Sequence, residues 1–298
     1  MTTSFRPAGA MVALVTPLEA NGDIDENGLE RLIERVVVAG IDGVSPNGST
    51  GEGARLGRER RIAVATRVRK LAPDGMAVVS GIPLTTLDEG RAELDGLAEL
   101  GATAALVAPP SYYPLPDDSV LRLYETLAHD APLPLVLYNI PAFTKVRFAP
   151  DVVARLAAHP MIVGIKDSSR DLEYQQQLIA ATADAEFAVL TGADSLLVAS
   201  LTVGAAGSIS AGANLVPELP VGIERAIHAG DFRTATELQR RLARITAACS
   251  VGEPPAGWKA ALAITGVCGP DLAAPAAALP ATLRTVLESR LATEGIAR

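Results

Sequence analysis

Residues 133–169 read LPLVLYNIPAFTKVRFAPDVVARLAAHPMIVGIKDSS, and this stretch decides the fold class. It holds two continuous apolar runs, which begin at Leu133 and Met161 and are separated by a segment long enough for a helix. This spacing fits the ~30-residue unit in which two parallel strands are joined by a crossover helix. Continuous apolar strands that alternate with helices predict a parallel sheet covered on its outer side.

The same pattern recurs along the chain, and the number of runs selects the architecture. Doubly wound sheets usually have about five or six strands, whereas a closed (β/α)8 barrel needs eight. We therefore predict an α/β fold, a (β/α)8 TIM barrel, over residues 1–230. Residues 231–298 show only helical patterns and are predicted to form a small C-terminal appendage packed on the barrel, without a catalytic motif of its own. The predicted strand segments begin at Gly9, Gly40, Met76, Ala104, Leu133, Met161, Phe187 and Ala205.

The composition favours an enzyme that acts on small molecules. Of 298 residues, 49% are apolar, and the formal net charge is -8. An acidic chain is poorly suited to neutralise nucleic-acid phosphates or to dock on an anionic membrane. No apolar run approaches the ~20 residues that span a bilayer, and two cysteines, Cys249 and Cys268, do not make a disulfide framework. We therefore expect a cytoplasmic protein that binds neither nucleic acid nor membrane.

Lys166 occupies an unusual place among the four lysines. In a (β/α)8 barrel the active site lies at the carboxyl ends of the strands. The apolar run from Met161 leads directly into Lys166, whereas Lys70 ends a basic helix, Lys145 lies in a loop and Lys259 starts a C-terminal helix. A neutral amine in an apolar barrel mouth can attack a carbonyl carbon and form an imine. The alternative is a snorkelling or ion-paired lysine at a strand end.

A glycine-rich turn follows the second apolar run. Residues 47–53 read NGSTGEG, and their hydroxyl and backbone N–H groups could hold a carboxylate near the start of a helix. The alternative is a tight turn with Ser or Thr capping. The turn has neither the GxGxxG order of dinucleotide-binding proteins nor the lysine of a P-loop, so nucleotide cofactors are disfavoured.

Tyrosines cluster at two other strand ends. Tyr138 ends the fifth apolar run, and Tyr112 and Tyr113 follow the fourth. Phenols at the mouth of a barrel are placed for proton transfer, although packing or interface tyrosines are the alternative. The three histidines do not have the spacing of metal ligands, so no metal is expected; they are His129, His159 and His228.

Three motifs occur in order at three of these strand ends. They are GSTGE at residues 48–52, YNIP at residues 138–141 and GIKD at residues 164–167. In combination, and over nearly the whole chain, they resemble the dihydrodipicolinate synthase / N-acetylneuraminate lyase family of class I aldolases. The resemblance implies a lyase that forms a Schiff base with pyruvate or a related 2-keto acid, reacts it with an aldehyde and needs no external cofactor.

The resemblance also implies roles for individual residues. Lys166 condenses with the keto carbonyl, while Ser49 and Thr50 hold the adjacent carboxylate. Tyr138 moves protons in contact with the Ser49 hydroxyl and with Tyr112, which a neighbouring subunit donates. The chain is therefore expected to be a homo-oligomer, either a dimer or a homotetramer.

Departures from the family pattern bear on the aldehyde. Dihydrodipicolinate synthases usually carry an arginine five residues after the YNIP tyrosine, and it binds the carboxylate of their acceptor, aspartate semialdehyde. This chain has Phe143 at that position. Asp194, which follows Gly192, matches a residue that contacts sugar hydroxyls in sialic acid lyases, but Ser195 replaces their glutamate. We therefore expect the aldol to be a 2-keto-3-deoxy sugar acid or a similar compound. The predicted substrate-binding residues are Gly48, Ser49, Thr50, Phe143, Gly192, Asp194 and Ile209.

Two alternatives to this function stay open. One is 4-hydroxy-tetrahydrodipicolinate synthase itself, with Lys145 or Arg147 in place of the missing arginine. The other is a non-catalytic member of the family that binds keto acids, a reading that the set of Lys166, Tyr138, Ser49 and Thr50 disfavours.

Overall fold

The computed structural model describes residues 5–296 of the chain. Eight parallel strands close into a barrel in which each strand pairs with the next along the chain, and β8 pairs with β1. Each predicted apolar run contains one of these strands, so the prediction of a (β/α)8 barrel is confirmed. The strands are β1 (Gly9–Ala13), β2 (Gly43–Ser45), β3 (Ala77–Pro83), β4 (Ala104–Ala108), β5 (Leu135–Asn139), β6 (Ile162–Asp167), β7 (Ala188–Thr191) and β8 (Gly207–Ser210).

Helices between the strands form the outer layer. Several begin at a polar side chain that accepts a hydrogen bond from a backbone N–H of the first turn, as at Asp25, Thr86, Asp171 and Asp231. The helices are α1 (Glu26–Val38), α2 (Arg58–Leu71), α3 (Leu87–Glu99), α4 (Asp117–His129), α5 (Pro141–Thr144), α6 (Pro150–Ala157), α7 (Leu172–Ala181), α8 (Leu197–Thr202), α9 (Glu218–His228), α10 (Phe232–Cys249), α11 (Ala256–Ile264) and α12 (Ala281–Thr293).

The barrel closes through a close approach of two glycines. Gly9 on β1 pairs with Gly207 on β8, and a Cβ atom at residue 207 would lie 2.3 Å from the Gly9 carbonyl oxygen. Any larger residue there would push the strands apart. The interior is filled by buried side chains such as Met11, Val79 and Leu190. It is a packed core rather than a channel, so a site must lie at one end of the barrel.

The helices after residue 230 pack on the barrel and share its core. Leu242 of α10, Leu262 of α11 and Leu287 of α12 are fully buried in one apolar cluster with barrel residues such as Val12. This common cluster holds the segment between α10 and α11 against the barrel. That position brings C-terminal residues to the same end of the barrel as the sequence motifs.

Both cysteines lie in the core as free thiols. Burial raises the pKa of Cys249 to about 12 and that of Cys268 to about 11, as expected for unreactive thiols. Within residues 5–296, no helix is both long enough and apolar enough to cross a membrane.

Candidate active site

Lys166 and Tyr138 meet at the carboxyl end of the barrel. They are register partners on β6 and β5, so their side chains point to the same side of the sheet. Lys166 is 4% exposed and Tyr138 is 5% exposed, and the Lys166 Nζ atom lies 4.5 Å from the centroid of the Tyr138 ring. A buried amine therefore faces a buried phenol.

The environment of Tyr138 favours its ionised form. Burial alone would raise the pKa of the phenol, but the charge of Lys166 and hydrogen bonds with Ser49 and Ser168 oppose this, and the pKa is lowered overall. The Tyr138 hydroxyl lies 3.4 Å from the Ser49 Oγ atom. The phenol is thus linked to both the amine and the glycine-rich turn, which suits a group that exchanges protons.

The backbone of the glycine-rich turn is held in one conformation. Asn47 adopts a φ of 60°, and its side chain donates hydrogen bonds to the Arg61 carbonyl and to Ser80. A Cβ atom at Gly53 would lie 1.9 Å from the Asn47 carbonyl oxygen, so only glycine fits there. The turn also contacts the segment that follows β1, because the Thr16 hydroxyl donates to the Gly51 carbonyl over 2.6 Å. Its hydroxyl groups are therefore presented from a fixed support.

A buried ion pair anchors the end of this turn to the C-terminal region. The Lys259 Nζ atom lies 2.6 Å from Glu52 Oε1, and both side chains are 0% exposed. The other Glu52 oxygen accepts a hydrogen bond from the Ala273 N–H, and Lys259 also donates to the Asp271 carbonyl. Burial lowers the pKa of Lys259, and Glu52 opposes that shift. This contact was not predicted from the sequence, although a lone lysine within the apolar run GWKAALAI was a signal for it.

A cavity of about 430 Å³ opens at this end of the barrel. Seven predicted site residues line it: Ser49, Thr50, Tyr138, Phe143, Lys166, Gly192 and Ile209. The C-terminal region supplies much of the opposite wall, a contribution that the sequence analysis did not foresee. Those residues are Cys249, Ser250, Val251, Gly252, Pro254, Pro255, Gly257 and Trp258.

A larger cavity, of about 620 Å³, lies at the other end of the barrel. It is lined by Ile162 at the start of β6 and by residues such as Arg6 and His159, and it contains none of the motif residues. The smaller cavity is therefore the candidate active site.

Three predicted site residues are placed away from the wall of the 430 Å³ cavity. Asp194 is 8% exposed, and its carboxylate accepts hydrogen bonds from the Ser210 hydroxyl at 2.5 Å and the Gly212 N–H at 2.9 Å. Burial raises the pKa of Asp194 against the effect of those bonds. Gly48 lies in the turn and has open space where a side chain would be. Tyr112 is 86% exposed.

The loop that follows β6 completes the rim of the cavity. Asp167 accepts hydrogen bonds from Asn139 at 2.7 Å and from the Ser169 hydroxyl at 2.8 Å, which fixes the start of the loop. Arg170 is exposed, lines the cavity and has a φ of 63°. Among residues 5–296, no group of three or more His, Cys, Asp or Glu side chains could hold a metal ion.

Comparison with known proteins places this geometry in a family. The family model described as the dihydrodipicolinate synthetase family matches residues 6–293. A 4-hydroxy-tetrahydrodipicolinate synthase of Hyphomonas neptunium is 34% identical over 289 residues, which are 97% of this chain and 98% of that protein. A protein of the same name from an Anaeromyxobacter strain is 36% identical over 272 residues, 91% of this chain and 92% of that protein.

Solved structures agree with the relatives. The dihydrodipicolinate synthase of Bacteroides thetaiotaomicron has a TM-score of 0.91 with 32% identity, covering 96% of this chain and 98% of that one. A prophage protein of the dihydrodipicolinic acid synthase family from E. coli K12 was solved in complex with pyruvate. It has a TM-score of 0.93 with 28% identity, and the match covers 97% of this chain and 99% of that one. The chain therefore belongs to the dihydrodipicolinate synthetase family of class I aldolases, as its three motifs predicted.

Proposed function

We propose that Lys166 forms an imine with pyruvate or a related 2-keto acid, and that the derived enamine reacts reversibly with an aldehyde. The observation that carries this proposal is the meeting of the Lys166 amine, the Tyr138 phenol and the Ser49 hydroxyl at one cavity. The amine adds to the keto carbon, and water leaves as the imine forms. Loss of a proton from the neighbouring carbon gives the enamine, which attacks the aldehyde, and water then releases the product.

The keto-acid carboxylate is proposed to bind at Ser49 and Thr50. Both residues line the cavity, and the turn that carries them is fixed by Asn47 and by the ion pair between Glu52 and Lys259. Hydroxyl and backbone N–H donors are suited to a carboxylate, since bonds to a charged acceptor are stronger than bonds between neutral groups. Fixed donors also lose little freedom when the substrate binds.

Tyr138 is proposed to give and take the protons of these steps. Its hydroxyl group is bonded to Ser49, and its lowered pKa makes the proton easier to transfer. The same phenol could protonate the hydroxyl group that leaves as water and the oxygen of the aldehyde. A keto-acid-binding protein without activity would have no use for a phenol held in this way.

Tyr112 is proposed to act in a second copy of the chain. Its ring packs edge-on against Tyr113, with 4.8 Å between the ring centroids, and the two side chains are 86% and 72% exposed. An exposed aromatic pair is typical of a contact surface between subunits. Sedimentation should therefore show a homo-oligomer, and Tyr112→Asp together with Tyr113→Asp should shift it towards smaller species.

Two classes of acceptor aldehyde are candidates. Phe143 offers apolar surface on the rim where the resemblance would place an arginine, which favours an uncharged acceptor and a 2-keto-3-deoxy sugar acid as the aldol. The relatives are named 4-hydroxy-tetrahydrodipicolinate synthase, which favours the second class. By the family resemblance, the acceptor of that class is aspartate semialdehyde. The first reaction, between Lys166 and the keto acid, is common to both classes.

Hydrogen exchange at the pyruvate methyl group tests the common step. Enamine formation in deuterated water should replace these protons with deuterium in the absence of any aldehyde, which NMR detects directly. Lys166→Met should stop the exchange, whereas Lys145→Met, a loop variant outside the cavity, should not. Exchange that persists in the Lys166 variant would contradict the proposal.

A further inference from the structure

Arg170 adopts a backbone conformation that an arginine has no local reason to adopt. Its φ of 63° lies in the left-handed region, where glycine fits without cost and other side chains are disfavoured. Both flanks are fixed by hydrogen bonds: the Ser169 hydroxyl donates to Asp167, and Asp171 accepts from the Tyr174 N–H at the start of α7. The conformation is thus imposed on residue 170. A side chain kept at such a position points to a function of that side chain.

The charged side chains that line the cavity are the second observation on Arg170. Among the described residues that line it, Lys166 and Arg170 are cationic, and none is an aspartate or a glutamate. Lys166 is engaged by the keto acid in the proposed reaction. A guanidinium stays charged at any working pH, so Arg170 is the permanent positive charge of the rim.

Neighbouring cations are already engaged. The Arg147 guanidinium pairs with Asp171 at 2.8 Å and stacks over the Tyr174 ring, and the Lys145 amine donates to the Ala142 carbonyl at 3.0 Å. Within residues 5–296, the Arg170 side chain has no hydrogen-bond or ion-pair partner. Of the cations near this rim, Arg170 is therefore the one with donors to offer a substrate.

We propose that Arg170 binds a carboxylate group of the acceptor aldehyde and so selects anionic acceptors over neutral ones. The inference rests on the proposed function and deepens it by naming the acceptor class. The planar guanidinium can meet a carboxylate with two parallel hydrogen bonds, which neither Phe143 nor the hydroxyl groups of the rim can do. The loop after β6 then supplies the cation for the acceptor carboxylate, which the family resemblance places in the loop after β5.

An acidic acceptor and its neutral methyl ester, which differ in charge and by one methyl group, test this role. With pyruvate as donor, kcat/KM is measured for 4-oxobutanoate and for its methyl ester. The unmodified enzyme should prefer the acid by about tenfold or more, and Arg170→Asn should bring the ratio close to one, because a charge-assisted pair is lost. Asparagine tolerates the left-handed conformation, so the loop keeps its shape. Arg170→Lys should retain part of the preference.

Arg147→Gln is the matched control, since it removes a nearby arginine that does not line the cavity. The ratio of kcat/KM for the acid to kcat/KM for the ester should be unchanged in that variant. A ratio near one in the unmodified enzyme, a ratio unchanged in Arg170→Asn, or an equal fall in Arg147→Gln would overturn the inference. Deuterium exchange into pyruvate by the unmodified enzyme separates the two claims. Its absence would refute the proposed function, whereas its presence with any of those ratios would refute the role of Arg170 alone.

Discussion

Lys166 and Lys259 are both buried lysines, but their surroundings differ. Lys259 lies on α11 with its amine 2.6 Å from the Glu52 carboxylate, and its side chain has no exposed surface. Lys166 opens onto a cavity and faces the Tyr138 ring, and within residues 5–296 it makes no ion pair. Burial therefore does not by itself make a lysine a nucleophile. An amine that has room for a substrate and no fixed counter-charge can react, whereas one that is locked to a carboxylate holds the structure together.

Replacing Lys166 should have the largest effect on activity. We expect Lys166→Met to lower kcat by at least about 10⁴-fold, the scale of loss when a nucleophile is removed. Methionine has a similar length and no charge, so the melting temperature should stay the same or rise. Steady-state kinetics and thermal unfolding measure the two effects, with Lys145→Met as the control that retains activity. A Lys166→Met enzyme that keeps a tenth of the turnover would contradict the assignment of Lys166 as the reacting amine.

Removing the Tyr138 hydroxyl should give the next largest loss. We expect Tyr138→Phe to lower kcat by about 10² to 10⁴-fold, the usual contribution of a positioned proton donor. The keto acid should still bind, since the turn with Ser49 is unchanged, and the binding constant can be followed by calorimetry. Tyr113→Phe, at an exposed tyrosine, should leave kcat unchanged. A destabilised Tyr138→Phe protein with normal turnover would assign this phenol to packing instead.

Replacing Lys259 should lower the free energy of unfolding, since this lysine holds the structure together and is not a reacting group. Lys259→Met leaves the Glu52 carboxylate buried without its partner, which costs about 3–5 kcal/mol. Urea unfolding should therefore show a lower midpoint. The double variant Lys259→Met with Glu52→Gln removes both charges and should recover part of the loss. Equal losses in the single and double variants would show that packing, not the ion pair, holds this region.

Glu224 differs from both buried lysines, because it is only partly buried and the nearby charge, Asp42, has the same sign. Burial, followed by repulsion from Asp42, raises the pKa of Glu224 from 4.5 to about 7. The folded state thus holds the proton more tightly than the unfolded state, so this contribution to stability is complete below pH 4.5 and is lost as the pH rises through about 7. The free energy of unfolding should therefore fall by less than about 1 kcal/mol per pH unit, since solvent screens the partly exposed carboxyl group.

Glu224→Gln tests this smallest effect. The variant should show a weaker decline of unfolding free energy between pH 4.5 and 7 than the unmodified chain, as measured by urea unfolding at several pH values. Glu218→Gln, on the same helix, serves as the control for a change of net charge. An identical pH dependence in the unmodified and Glu224→Gln proteins would rule out this assignment.

The sequence predicted the barrel, and it also predicted that three candidate site residues lie near one another, because both features depend on local pattern. Apolar runs recur at regular spacing, and the residue at the end of each run must lie at the carboxyl end of the barrel, which brings Lys166, Tyr138 and Ser49 together. The partner of a charge depends instead on segments that are distant in the chain. The pairing of Glu52 with Lys259, which are 207 residues apart in the chain, could not be predicted from periodicity, and neither could the C-terminal wall of the cavity.

Arg170 shows a second limit of the sequence. It sits next to a recognised motif, but its left-handed backbone and the lack of a partner within the described chain are properties of the folded loop. Lys145 and Arg147 are the candidates that the sequence offers, because they follow Phe143 closely. The structure places both in other contacts, with Ala142 and with Asp171.

Reductive trapping identifies the lysine that forms the imine. Sodium borohydride added with pyruvate should reduce the imine to a stable secondary amine, and peptide mass spectrometry should then locate the adduct. We predict modification of Lys166 and no adduct on Lys259, whose amine is fully buried against Glu52. An adduct on Lys259, Lys70 or Lys145, or no adduct under conditions in which the enzyme turns over, would contradict the claim that Lys166 is the nucleophile.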